Sequence, residues 1–387
     1  MDSLHHVVVP SPFANMTPLY EIAPEADLLL IIPPYTPPSP SGGAPTQGLR
    51  LKLSSAHLSL ASRAFRTKLQ QKHSKQSDNR THLSLPATGE FDPRAVTIVM
   101  NALHGRGSKV PRTLEGGVEI LASIAKVVET FGVLEAVAVY ADRWIDGLVA
   151  KGLPREFGRE AVLWVYATRV FRRAEVFREI TAVVAAGAVG VVDGFGFALG
   201  EKVVRDIESQ RQQLVSAALD ILDDVVDELA DGLVPCEQFD CDSFLLGKLV
   251  KTLRKSKLFP RPASPFAGVG LAGIEEAIDK SGLQIARRSD DSVLTEGGLW
   301  TTTPKNTIVK ALSQSKKTAP PRQQQQRPFT PESSPEPAAA RSSGRASVFG
   351  EHQCEARKLV GTLEAIHALC GGVRGLELES ELGYLLY

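Results

Sequence analysis

Residues 49–69 read LRLKLSSAHLSLASRAFRTKL. Leu49, Leu51 and Leu53 alternate with Arg50 and Lys52, which is the period-2 signature of a half-buried strand. Ser54 and Ser55 follow, and their hydroxyls suit the free N–H groups of a helix start. Leu58 and Ala61 lie three apart on one helical face, with Phe65 four further on. The stretch therefore predicts a strand, a tight break, a short helix and a second short helix. Nothing in it is arranged for chemistry.

Upstream, Leu28-Leu29-Leu30-Ile31-Ile32 is an apolar run that reads as a strand buried on both faces. Residues 33–48, PPYTPPSPSGGAPTQG, form a Pro/Gly/Ser loop, so the two strands most simply make an antiparallel hairpin. Residues 1–24 carry Pro10, Pro12, Pro18 and Pro24, a density that forbids a regular helix and predicts an extended arm. Downstream, residues 82–86 predict a third strand. Asp92-Pro93 is a helix start, with Asp as N-cap and Pro at the first helical position. Val96, Val99, Met100 and Leu103 mark its buried face and Gly105 its end. Val118, Leu121, Ala125 and Val128 give the next helix, closed by Gly132. Val137, Ala141, Trp144, Ile145 and Leu148 give another, closed near Gly152.

The second half reads as helical. Residues 159–178 predict one long helix, apolar on several faces and so sandwiched between neighbours. Residues 201–231 begin mixed and turn acidic. Residues 243–257 form a basic amphipathic helix, and Ile274, Ala277 and Ile278 mark one more. From about 286 to 348 Pro, Ser, Thr and Gln dominate, a composition predicting disorder because it buries too little apolar surface to offset ordering entropy. Val360, Leu363, Ile366 and Leu369 then return to helical spacing, and the apolar tail beyond Gly372 should dock on the helical half. The expected organisation is a Pro-rich arm (1–24), a small α+β domain (25–152), a helical extension (153–285), a disordered linker (286–348) and a C-terminal helical segment (349–387).

Bulk properties narrow the function class. The 387 residues hold 44 basic and 44 acidic side chains, so no net field draws the chain to nucleic acid or an anionic membrane. Four Cys in this length do not make a disulfide framework, which predicts an intracellular, reducing location, cytoplasmic or nuclear. The start of the chain lacks the pattern of a secretory signal. Residues 182–200 have the length of a membrane span, but Asp193 at their middle costs about 2.5–3.5 kcal/mol on insertion. A buried helix end with a Gly-rich turn is the better reading.

No motif nominates a catalytic residue, a cofactor site or a metal site. Gly194-Phe195-Gly196 with Gly200 departs from the dinucleotide spacing and lacks a preceding strand. Cys236, Cys241, Cys354 and Cys370 lack zinc spacing and read as small buried side chains. Asp220, Asp223, Asp224, Asp227 and Asp231 lie opposite an apolar stripe, as a solvated face does. Lys248, Lys251, Arg254, Lys255 and Lys257 read likewise, as a basic face that could meet the acidic one. Thr303-Pro304, Thr330-Pro331 and Ser334-Pro335 are candidate sites for proline-directed phosphorylation.

Taken together, residues 25–149 resemble a BTB/POZ domain, most closely those of filamentous-fungal proteins. The resemblance rests on the strand at 27–32, on L-x-x-A-S-x-x-F at Leu58, Ala61, Ser62 and Phe65, and on LSLP at 83–86. It extends through FDPRAVTIVMNALHG at 91–105, Val110-Pro111 and the helices ending in Tyr140-Ala141-Asp142-Arg143-Trp144. Three features differ from many members: Ser54 stands where they have His, no helix precedes the first strand, and the hairpin loop is longer and richer in Pro. The resemblance implies a non-enzymatic interaction domain that self-associates or docks partners, including cullin-type ubiquitin ligases and transcriptional co-repressors. Leu51, Leu53, Leu58, Phe65 and Trp144 are its expected core. Arg50, Lys52, His57, Arg63 and Arg66 are the candidate interaction surface.

Overall fold

The computed structural model describes residues 18–37, 46–73, 81–86, 90–231, 239–281 and, near the C-terminus, 365–366, 368–369 and 371–378. Among the described residues four strands make one mixed sheet: β1 Leu19–Glu21, β2 Leu28–Ile32, β3 Leu49–Leu53 and β4 Thr81–Ser84, in the spatial order β1-β3-β2-β4. β2 and β3 pair antiparallel, from Leu28 opposite Leu53 to Ile32 opposite Leu49. That is the expected hairpin, and Gly48 closes it, because a Cβ there would lie 2.7 Å from the Ile32 carbonyl oxygen. The alternation then decides the faces. Leu28, Leu30, Ile32, Leu51, Leu53 and Leu83 are buried beneath the sheet, whereas Leu29, Ile31, Arg50 and Lys52 lie half-buried on its outer face.

β1 was not legible in the pattern. The Pro-rich arm contributes three residues that pair parallel with β3, Leu19 opposite Arg50 and Glu21 opposite Lys52. Pro18 and Pro24 flank this strand without interrupting it, and the Pro18 carbonyl accepts from the Arg50 N–H at 2.8 Å.

Helices α1 Ser55–Ala61 and α2 Arg63–His73 follow, broken at Ser62, which is buried. Its hydroxyl donates to the Phe131 carbonyl and accepts the Phe65 N–H at 3.1 Å. Ser62 thereby caps α2 and ties it to the end of α4 Gly117–Phe131. Phe65 stacks on Phe131 with ring centroids 4.3 Å apart. Between them in the chain, α3 Pro93–Leu103 starts as its Asp-Pro pair requires, Asp92 accepting from the Arg94 N–H at 2.8 Å. A 3-10 turn at Gly107–Lys109 leads to α4, and α5 Leu134–Val149 completes the cover. Leu51, Leu53, Leu58 and Phe65 have no exposed surface, and Trp144 is buried with its Nε1 donating to the Pro111 carbonyl at 2.8 Å.

The single helix expected over 159–178 is two, α6 Arg159–Val170 and α7 Ala174–Gly187. Arg172 takes a left-handed φ of 57°, and the N–H groups of Arg172 and Arg173 return to the carbonyls of Arg169 and Thr168. This is a Schellman stop built without glycine, which is why the sequence pattern ran through it. Residues 161–168 of α6 are all buried, between α4 and α7. Helices α8 Glu201–Ala230, α9 Phe239–Lys255 and α10 Leu271–Ser281 follow.

One apolar cluster runs from Ile22 in the sheet domain through α6 and α7 to Ile207 of α8. A second, from Val215, unites the rest of α8 with α9, α10 and Ile366. The seam between them falls inside one continuous helix. Arg211 sits at this seam with 1% exposure, donating to the carbonyls of Pro265, Phe266 and Val269 and to both carboxylate oxygens of Glu208. At the C-terminal end, residues 374–378 lie against α7 and α8. The linker 286–348, with its Ser/Thr-Pro pairs, lies outside the described residues, as do the side chains of all four cysteines.

Candidate interaction surface

The five basic and imidazole residues singled out from sequence occupy two separate places. Arg50 and Lys52 stand in adjacent cross-strand rows on the outer sheet face, Leu19-Arg50-Ile31-Ser84 and Glu21-Lys52-Leu29-His82. Lys52 is paired with Glu21 at 2.9 Å, both about half exposed, a contact of small energetic weight. His57, Arg63 and Arg66 lie on the exposed sides of α1 and α2, and the Arg66 Nε donates to the Ser59 carbonyl at 2.9 Å. Leu60 joins them with 83% exposure, an apolar side chain off the buried stripe of α1.

His57 also stacks on His104, ring centroids 5.1 Å apart. His104 Nε2 accepts the Ser54 N–H at 3.0 Å, and its Nδ1 contacts the Met100 carbonyl at 2.8 Å. The two contacts together require the neutral ring with its proton on Nδ1. Burial pushes the His104 pKa below the usual imidazole value, and the neighbouring His57 and Arg106 push the same way. Both ring nitrogens are engaged, so His104 is a structural tie and not a free base. The start of α1 is organised from a distance in the same manner. Ser54, the N-cap residue, makes no side-chain cap of its own, and Asp27 instead accepts from the Ser55 N–H at 2.7 Å and from the Ser55 hydroxyl.

Among the described residues of the sheet domain are two concavities. One of about 360 Å³ sits between the hairpin base and the first turn of α3, lined chiefly by Pro18, Gly48, Leu49, Pro93 and Ile98. The other, of about 470 Å³, lies between the 107–112 segment and α5. Its wall combines Ser108, Arg112 and Arg143 with Val110, Val139, Tyr140 and Trp144. Val139 is 79% exposed at its rim. This site was missed in the sequence, yet a signal was present: Val139 is a β-branched residue off the α5 stripe of Val137, Ala141, Trp144 and Leu148. The wall offers cations, a hydroxyl and apolar surface, but no acid or base placed against a nucleophile.

The remaining sequence candidates resolve simply. Gly194 follows helix α7 and a loop, not a strand, and Asp193 accepts from the Phe195 N–H in a local turn. On α8, Asp220 and Asp223 pair with Arg261, which lies in the loop after α9 and not on its basic face. Burial and then the neighbouring carboxylates of Asp220, Asp227 and Asp223 raise the Asp224 pKa. Among the described residues no group of three or more His, Cys, Asp or Glu is placed to hold a metal ion, and no helix is long and apolar enough to cross a membrane. No protein-family model matches the chain, and no curated protein matches it.

Proposed function

We propose that this chain is a non-enzymatic interaction protein whose sheet domain docks other proteins in the manner of a BTB/POZ domain. The observation that carries the reading is the cavity between residues 107–112 and α5. It joins an exposed apolar side chain, Val139, to two arginines and an aromatic floor, the mix that anchors protein partners. Supporting it are the β2-β3 hairpin, the Ser62–Phe131 tie and the α3-α4-α5 cover, which follow the order that the BTB resemblance implies. A cullin-type ubiquitin ligase or a second copy of the chain is the partner class this reading favours, within the cell.

The test is affinity purification from the native host with wild-type protein and with the Val139→Asp and Arg143→Glu variants. Recovery of a ubiquitin-ligase component by wild type and its loss in both variants supports an adaptor role. Equal recovery by all three removes the cavity from the argument. Scattering-derived mass decides self-association, which a strict monomer at tens of micromolar excludes. A second reading, a nuclear regulator recruiting co-repressors, is favoured by the six basic and no acidic residues between Lys305 and Arg327. A fluorescent fusion that stays cytoplasmic counts against it.

A further inference from the structure

The segment Gly375-Leu376-Glu377-Leu378 lies along α7 as a bound peptide would, and Arg374 just before it is reached by Gln210 of α8. Each of its four residues makes a distinct contact. Gly375 passes so close to α7 that a Cβ would collide with the Arg178 carbonyl and the Thr181 hydroxyl. The Leu376 N–H donates to Thr181 Oγ1 at 2.8 Å. Glu377 faces the Arg178 guanidinium, with Oε1 2.9 Å from Nε and Oε2 accepting from Nη2 at 2.9 Å. Leu378 enters the larger apolar cluster and is 3% exposed.

This is recognition by pattern: no side chain, then apolar, then acidic, then apolar. The forked Arg–carboxylate pair fixes the third position geometrically. The polar receiving groups, Arg178 and Thr181, belong to α7, which is held by its own apolar packing against α6 and α8. The segment also leaves one buried polar group beside it unsatisfied. Gln210 of α8 donates through Nε2 to the Arg374 carbonyl, but its Oε1 is buried with no hydrogen-bond partner among the described residues. A buried orphan acceptor costs free energy, so a segment bringing one more donor to this point would bind better than the one present.

We infer that the Arg178–Thr181 face of α7 is a docking site for an extended peptide of the pattern glycine, apolar, acidic, apolar. Residues 375–378 fill it in cis, as a tethered competitor of a partner segment with the same chemistry. This surface is separate from the cavity on the sheet domain and stands or falls independently of the adaptor reading. Because the cis segment is part of the chain, it competes at an effective concentration that free peptide at micromolar levels does not reach. Binding in trans therefore becomes visible when the cis segment is weakened.

The experiment uses the full chain and a fluorescein-labelled synthetic peptide of residues 371–381, read by anisotropy. Glu377→Lys in the chain sets like charges against each other at an exposed pair, so the fold is retained, as a thermal melt verifies. The expected result is at least tenfold tighter peptide binding to this variant than to wild type. Peptides carrying Val in place of Gly375, or Lys in place of Glu377, should each lose at least tenfold. A chain with Arg178→Glu should reverse the preference and favour the Lys peptide. Equal binding to wild type and the Glu377→Lys chain, no binding to either, or indifference to the glycine and the acid overturns the proposal.

Discussion

Ser62→Ala isolates the tie that joins the strand–helix unit to the rest of the sheet domain. The Ser62 side chain is 1% exposed and makes two bonds: its hydroxyl accepts the Phe65 N–H as the cap of α2 and donates to the Phe131 carbonyl at the end of α4. Losing the cap costs about 0.5–2 kcal/mol. Leaving the buried Phe131 carbonyl without its donor costs about 1–3 kcal/mol more. The two effects share one oxygen, and together they predict a loss of about 2–4 kcal/mol. Ser62→Asp separates them. It keeps an acceptor for the cap but sets a buried charge against a carbonyl, so it should be worse than alanine. The assay is urea unfolding followed by two probes, far-UV dichroism and tryptophan fluorescence, whose coincidence checks two-state behaviour. Thr67→Ala is the control. Its hydroxyl is exposed and bonds only the Arg63 carbonyl one turn back, so the change should stay within about 0.5 kcal/mol. If Ser62→Ala is no worse than this control, the account of how α1, α2 and α4 are held together is wrong.

Phe65→Ala removes a fully buried ring stacked on Phe131 and should cost about 3–5 kcal/mol, seen as a lowered denaturant midpoint. An unchanged melting temperature would displace Phe65 from the core. His104 titrates below its unfolded value because its ring is buried, with His57 and Arg106 pushing the same way. Its contribution is therefore complete above the unfolded value of about 6.5 and is lost as pH falls from there through the depressed folded pKa. Melting temperatures between pH 8 and pH 5 should fall more steeply for wild type than for His104→Gln, and parallel curves would remove His104 as the cause. Arg211→Met leaves the carbonyls of Pro265, Phe266 and Val269 without their donor and Glu208 without its cation. A loss of about 3–5 kcal/mol is expected in thermal unfolding, with faster hydrogen exchange in residues 259–270. A variant as stable as wild type would show that Arg211 does not organise that loop.

What the sequence revealed and concealed follows from where each signal is written. The β2-β3 hairpin, the two short helices after β3 and the start of α3 are local, carried by alternation, by the Ser54-Ser55 break and by Asp92-Pro93, and all three stand in the structure, while the position of the break between the helices at Ser62 was not marked. The coarse fold, a small sheet under helices followed by a helical region, was legible for the same reason. β1 was not, because a three-residue edge strand between prolines has too short an alternation to register. The stop between α6 and α7 was hidden because Arg172 takes the left-handed turn that glycine usually marks. The cap of α1 was misplaced for a different reason. Ser54 and Ser55 looked self-sufficient, but the bonds come from Asp27 and His104, which are distant in sequence. The surface is decided by position in space. Arg50 and Lys52 lie on the sheet and His57, Arg63 and Arg66 on two helices, whereas the α5 cavity gathers residues from 107–112 and 139–144 that no single stretch displays together.

The thirty residues of α8 extend about 45 Å at 1.5 Å per residue, and its two ends serve different apolar clusters. Amide hydrogens along it should accordingly divide into two exchange classes, one opening with the sheet domain and α6–α7, the other with α9 and α10. Residues 208–214, between the clusters, are where one class gives way to the other. A protease that finds the second class open would cut there, leaving a C-terminal fragment that still meets the first cluster through residues 376–378 on α7. Opening of the distal helices would thus leave the sheet domain intact, with its half of α8 still in place.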